Sequence, residues 1–146
     1  AVKAEFYGFE TEGKFRVYEK TGNLDFNLRG DYVRAKNSDT GESLPRITPM
    51  RLGAGLDYQL GKFSARLDVL HSFKQDRVAA NELPTSSYTL TNTMLNYRFK
   101  TSTVNWDAYI KGNNLFNQEA RAHTSFLKEL APLPGRGFLI GVRANF

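Results

Sequence analysis

The chain has 146 residues, no cysteine, 20 lysines and arginines against 15 aspartates and glutamates, and a net charge of +5. That length suits one ordinary domain. The missing cysteine excludes a disulfide scaffold, a thiolate metal site and a cysteine nucleophile, and no stretch approaches the ~18 apolar residues of a membrane helix. No basic start leads into an apolar core, so no signal peptide is expected. Basic and acidic residues are mixed along the chain, so no nucleic-acid-binding face is expected either.

Period-two alternation runs through nearly the whole sequence, and in a strand it sends successive side chains to opposite faces. The first predicted strand sets Tyr7, Phe9, Phe15 and Val17 against Glu10, Glu12, Lys14 and Arg16. The second sets Leu24, Phe26, Leu28 and Tyr32 against Asp25, Asn27, Arg29 and Asp31. Met50 to Leu60 is the cleanest run, with Leu52, Ala54, Leu56 and Tyr58 opposed by Arg51, Gly53, Gly55, Asp57 and Gln59. In Phe63 to Phe73, the residues Phe63, Ala65, Leu67, Val69 and Phe73 oppose Ser64, Arg66, Asp68 and Ser72. A weaker strand near 88–99 begins its apolar face with Thr91 and Thr93. A sixth near 104–115 carries Val104, Trp106, Ala108 and Ile110. The last shows Phe138, Ile140, Val142, Ala144 and Phe146 at every second position.

These runs span ~10–13 residues, whereas soluble strands average ~5–6. Their length is what a tilted strand needs to cross a bilayer. Tight connections at Lys20–Asn23, Gly61–Lys62 and Lys100–Thr103 alternate with long ones at Asn37–Pro49, Lys74–Ser87 and Asn114–Gly135, the layout of an outer-membrane barrel. Aromatic residues of apolar parity fall into two bands. Phe15, Phe26, Tyr58, Phe63, Tyr97, Phe99, Trp106 and Phe146 lie beside the short turns; Tyr7, Phe9, Tyr32, Phe73 and Phe138 lie near the long loops. Amphipathic rings prefer the two membrane interfaces, with aliphatic side chains between them. The opposite parity carries Arg29, Asp31, Arg51, Asp57, Arg66, Asp68, Arg98, Asp107, Lys111 and Arg143. Near the midplane of lipid each would cost ~2–4 kcal/mol, so a wet or protein-filled interior with mutual pairing is expected for them.

The predicted fold is therefore all-β, an antiparallel transmembrane β-barrel wall of seven strands. Bacterial barrels close with an even number, and an open sheet in lipid would leave two rows of backbone groups unpaired. Splitting the first strand at Thr11-Glu12-Gly13 would make eight, with halves too short to span. The chain is thus expected to be a piece of a larger barrel, with a small stand-alone eight-stranded barrel as second choice. A soluble β-sandwich or binding module is the remaining alternative.

Several segments carry a family resemblance. Lys111-Gly-Asn-Asn-Leu-Phe-Asn117 resembles the "NLFN" stretch ending the penultimate strand of TonB-dependent outer-membrane receptors, and Phe6-Tyr-Gly-Phe-Glu10 resembles their "YGxE" strand. The terminal Phe146 strand resembles the signal strand read by the barrel assembly machinery, where strand addition would read alternate side chains. The loop from Ala120 to Arg136 and the segment Pro45-Arg-Ile-Thr-Pro49 resemble the zinc-uptake branch. The resemblance covers essentially the whole chain. It implies the last seven of ~22 strands, in the outer membrane of a Gram-negative bacterium, serving energised uptake of a scarce nutrient. It also implies an N-terminal plug carrying the TonB-contacting motif; neither plug nor motif is in this sequence. Haem or siderophore-iron uptake is the alternative within the family.

For metal contact, His123 and Glu119 in the longest loop are the candidates, because imidazole and carboxylate suit zinc as a transported ligand. The competing reading of His123 is loop packing. His71 has apolar parity near the outer rim and reads as interfacial. Two histidines without cysteine cannot close a structural zinc site alone, so no resident cofactor is expected. Asp57 and Asp68 form a carboxylate pair with no converging His or Ser, so no catalytic role is expected. Lys36, Arg46, Lys74, Arg77, Arg121 and Lys128 are candidates to meet lipopolysaccharide phosphates.

Overall fold

A computed structural model describes residues 3–146. It contains seven strands: β1 (Ala4–Glu19), β2 (Asn23–Asn37), β3 (Arg51–Leu60), β4 (Phe63–Ser72), β5 (Tyr88–Lys100), β6 (Asn105–Asn113) and β7 (Gly137–Asn145). They form one antiparallel sheet in chain order, each strand beside its sequence neighbours. β1 runs unbroken through Thr11-Glu12-Gly13, so the eight-strand split does not occur.

The register shows why these residues pair as they do. One rung across the sheet joins Phe15, Phe26, Leu56, Leu67 and Thr93; another joins Tyr18, Leu24, Tyr58, Ala65, Leu95, Ile110 and Ile140. A slip of one residue would turn every such side chain to the charged face. A bulge between Arg16 and Tyr18 makes one departure from strict alternation: Tyr18 stands opposite Leu24, and Val17 becomes the extra residue. The hairpins are staggered. β5 and β6 continue to Lys100 opposite Asn105, three residues beyond the level where Tyr97 faces Phe63. Such stagger is what tilted strands in a barrel wall require.

The sheet has no second layer, and its only buried hydrophobic residues among those described are Ala35 and Ala120. Leu52, Leu67 and Ile140 are 45%, 40% and 75% exposed. Water does not tolerate a continuous apolar face of this size, so a soluble sandwich core is not what this pattern builds. Aromatics collect at the short-turn end: Phe99 stacks on Trp106 with centroids 6.0 Å apart, and Tyr97 lies 6.1 Å from Phe99.

The other face is held by cross-strand ion pairs. Asp57 accepts from Arg66 Nε at 2.5 Å and Nη2 at 2.8 Å, and from Asn27 Nδ2 at 2.7 Å. Arg29 reaches Asp68 at 2.8 Å, and Arg51 reaches Asp31 at 3.0 Å. Asp25 is shared by Lys14 and Arg16. The expected mutual pairing is therefore present, and it occupies both Asp57 and Asp68 with guanidinium partners.

The two faces make opposite predictions at similar depth. Leu67→Lys in the full-length protein should lose about 2–4 kcal/mol of folding stability in vesicles. Met94→Glu should be nearly neutral, because Met94 stands in register between Arg66 and Lys111 on the charged face. Urea titration of heat-resistant gel mobility would check both; a Met94→Glu loss as large as that of Leu67→Lys would contradict the assignment of faces.

Candidate functional site

The three long loops emerge at one end of the sheet, and their polar backbone must find partners once packed. Asn114, only 4% exposed, does much of this for the β6–β7 loop. Its Nδ2 donates to the carbonyls of Gln118 at 2.9 Å and Pro134 at 3.2 Å, and its Oδ1 accepts from Gln118 N at 2.8 Å. Asn117 Oδ1 accepts from Arg136 N at 2.9 Å. Both asparagines have positive φ, 48° and 51°, a conformation asparagine tolerates better than most residues. Between them Leu115 folds back over Gly112, where a Cβ would lie 2.6 Å from its Cδ2. The "NLFN" stretch is thus a clasp that ties the first residues of the loop to its last. The "YGxE" glycine has a similar reason: a Cβ at Gly8 would sit 2.2 Å from the Tyr32 carbonyl oxygen.

A buried ionic cluster joins all three loops. Lys128 Nζ donates to Glu82 Oε1 at 2.8 Å and to the Leu83 carbonyl at 2.8 Å, and approaches His123 Nδ1 at 3.4 Å. Thr85 Oγ1 lies 2.9 Å from the same Nδ1. An ammonium can only donate, so Nδ1 is the acceptor and the ring proton belongs on Nε2, which faces Glu82 Oε1 at 3.2 Å. Glu82 also accepts from the backbone N–H groups of Arg46 at 3.0 Å and Ala79 at 3.2 Å. The Arg46 guanidinium sits 3.9 Å from the Phe126 ring centre, and Gln75 Nε2 donates to the Ile47 carbonyl at 2.9 Å. The side chains of His123, Lys128 and Glu82 are 1%, 7% and 9% exposed.

Burial opposes the charge of Glu82, but the hydrogen bonds from Lys128 and the two backbone amides outweigh it and hold the carboxyl below its usual range. Burial, reinforced by the nearby Lys128 ammonium and only partly offset by Glu82, depresses the His123 imidazole below its ordinary value. The cluster is therefore a Lys–Glu ion pair beside a neutral histidine.

The candidate ligands separate. Glu119 is 67% exposed and accepts from Arg121 Nε at 2.9 Å, while His123 turns to Glu82, Thr85 and Lys128. No group of three or more His, Asp or Glu placed to hold an ion occurs among the described residues. His71 is hydrogen-bonded to Thr89 at 2.8 Å on the apolar face. Of the basic residues expected to meet phosphate, Lys128 is buried in the cluster, and Arg121 is turned inward to the carbonyls of Lys128 and Glu129. Glu82 and Thr85 gave no sequence signal, because loops lack the periodicity that marks strand faces.

The cluster should loosen in acid. An opened loop histidine takes up a proton near its ordinary ~6.5, whereas the folded one resists until lower pH. The open form then binds more protons, so stability falls as pH drops below about 6.5, with Glu82 adding a further loss below about 4.5. Exchange protection factors of amides in 79–85 and 120–131 should fall between pH 7.5 and 5.5. His123→Gln should abolish that slope. A pH-independent wild type would contradict the cluster's role.

The TonB dependent receptor-like, beta-barrel family model matches residues 2–115. Among solved structures, the chain is similar to a protein described as copper transporter OprC, at 26% identity and a TM-score of 0.81. The alignment covers 97% of this chain and 23% of that one, so the chain spans about a quarter of the transporter's length. With its open seven-stranded sheet forming part of a larger barrel, this chain belongs to the TonB-dependent receptor β-barrel family.

Proposed function

We propose that this chain is the C-terminal wall of an outer-membrane TonB-dependent transporter of a Gram-negative bacterium, and that its cargo is a transition-metal ion, zinc in the first instance. The single observation that supports the transporter reading most is the sheet itself. One face is continuously apolar, the other is ion-paired, and both edge strands, β1 and β7, remain open for further strands. A plug inside the completed barrel and TonB beneath it are the partners the family implies.

The zinc reading leans on the β6–β7 loop and the Pro45–Pro49 segment, which meet through Arg46 and Phe126. Few soft ligands are offered by this part of the wall. Cysteine is absent and only two methionines occur, of which Met50 has apolar parity. That favours a borderline ion over copper(I). Uptake of copper is the second reading, favoured by the name of the similar solved transporter. Glu119 stays reachable for cargo, whereas His123 would contact an ion only after the loop cluster opened. The remaining ligands would come from the plug or from other loops.

Growth of a strain lacking the complete receptor gene tests this. Zinc limitation should slow the mutant relative to its parent, and iron or haem limitation should not. A defect confined to copper limitation would select the second reading. A defect confined to haem or siderophore-iron would contradict metal-ion cargo. Folding of this chain alone into a heat-resistant species in detergent would instead favour a small self-contained barrel.

A further inference from the structure

The apolar face carries a furrow that the transport reading leaves unused. Where β1, β2 and β3 run side by side, Gly13, Gly30 and Ala54 present almost no side chain, and a groove of about 560 Å³ opens between Phe15, Leu28, Leu52 and Val69. At Gly30 an added Cβ would stand 3.0 Å from Leu52 Cδ2 and 3.6 Å from Thr11 Cγ2, so any larger residue there would fill the groove.

Directly along the strands toward the long loops, chemistry changes from apolar to cationic. The next pair, Phe9 and Tyr32, has ring centres 5.9 Å apart, and the Arg77 guanidinium lies 5.4 Å from the Tyr32 centre. The pair beyond is Tyr7 and Arg34, joined by a 3.2 Å hydrogen bond from the guanidinium to the phenol. Lys36 follows, tied to Glu5 at 3.1 Å, and Lys74 is tied to Asp76 at 3.6 Å. Arg34 and Arg77 have no carboxylate within ion-pairing distance among the described residues. Arg16, Arg29, Arg51, Arg66 and Arg121 each have one. Arg46, Arg98, Arg136 and Arg143 also lack one among the described residues, so it is their position on the apolar face above the groove that sets Arg34 and Arg77 apart. At the strand rise, Arg34 stands about 13 Å above the Thr11–Gly30 rung. Two guanidiniums without a carboxylate partner above an apolar groove complement an amphiphile with a phosphorylated head and an acyl tail.

We propose that this strip of outer wall binds one molecule of the phosphorylated, acylated glycolipid of the outer leaflet, lipid A. Its phosphate lies on Arg34 and Arg77, and one acyl chain lies in the groove floored by Gly13 and Gly30. Sequence reading named Lys36, Arg46, Lys74, Arg77, Arg121 and Lys128 for such contacts, so Arg77 was already among them, and it passed over Arg34 within β2. The proposal rests on the membrane-wall reading, and the two can fail separately.

The test uses the full-length receptor in detergent, with native mass spectrometry after titration with diphosphoryl lipid A. The wild type should retain one lipid. The double variant Arg34→Gln/Arg77→Gln should weaken retention about tenfold or more, and Gly30→Phe should weaken it with both arginines intact. Lys74→Gln should leave it unchanged. Millimolar inorganic phosphate should not compete, and dephosphorylated lipid A should bind as poorly as the double variant does. Heat-resistant gel mobility confirms that each variant is folded. Wild-type retention by the folded double variant, displacement by inorganic phosphate, or equal binding of phosphatidylglycerol would each overturn the lipid A site. A receptor that proved soluble without detergent would overturn the membrane wall beneath it.

Discussion

Hydrocarbon accepts neither an unpaired backbone amide nor an isolated charge, and the whole architecture follows from meeting both demands with one layer of sheet. Strands satisfy the backbone by pairing in chain order, and their period of two sends every second side chain to lipid. The charges are thereby forced onto the other face, where register places Asp57 against Arg66 and Asp31 against Arg51. These pairs need no dry core. They are partly exposed, and their role is to make a densely charged wall compatible with a confined interior; each contributes little as an isolated surface pair.

The loop end follows a different rule. Loops have no ladder, so side chains supply the missing partners. Asn114 clasps one loop to itself, and Glu82 gathers donors from all three. Removing one member of such a buried ionic set leaves the others unpaired, which is why Lys128 is a structural residue despite its place in a surface loop. The buried cluster is flanked by exposed Glu119, Phe126 and Leu130, and burial beside Lys128 disfavours the charged form of its histidine.

The strand faces were legible because they obey a period. Leu52, Leu67 and Ile140 could be assigned to the apolar face before any coordinates, and mutual pairing could be expected among the opposite charges as a group, without showing that Arg66 would meet Asp57. The bulge at Arg16–Tyr18 was not legible, since one extra residue leaves no periodic trace and moves Tyr18 to the apolar side. In the loops, the motif around Asn114 could be recognised without its reason, which lies in two hydrogen bonds to the Gln118 backbone and one to the distant Pro134 carbonyl. His123 was weighed as a ligand with Glu119 because spacing was all the sequence offered. Glu82, 41 positions away, is the carboxylate it meets.

The division of the wall into a lipid face and an enclosed polar face can be measured with nitroxide labels on the full-length receptor in vesicles. Labels at Leu56, Leu67 and Ile140 should be relaxed by oxygen, which partitions into lipid. Labels at Asn27, Ser64 and Met94 should respond instead to a water-soluble nickel chelate, or to neither reagent where a plug covers them. Nickel accessibility at Leu56, Leu67 and Ile140 with oxygen accessibility at the other three would contradict the account.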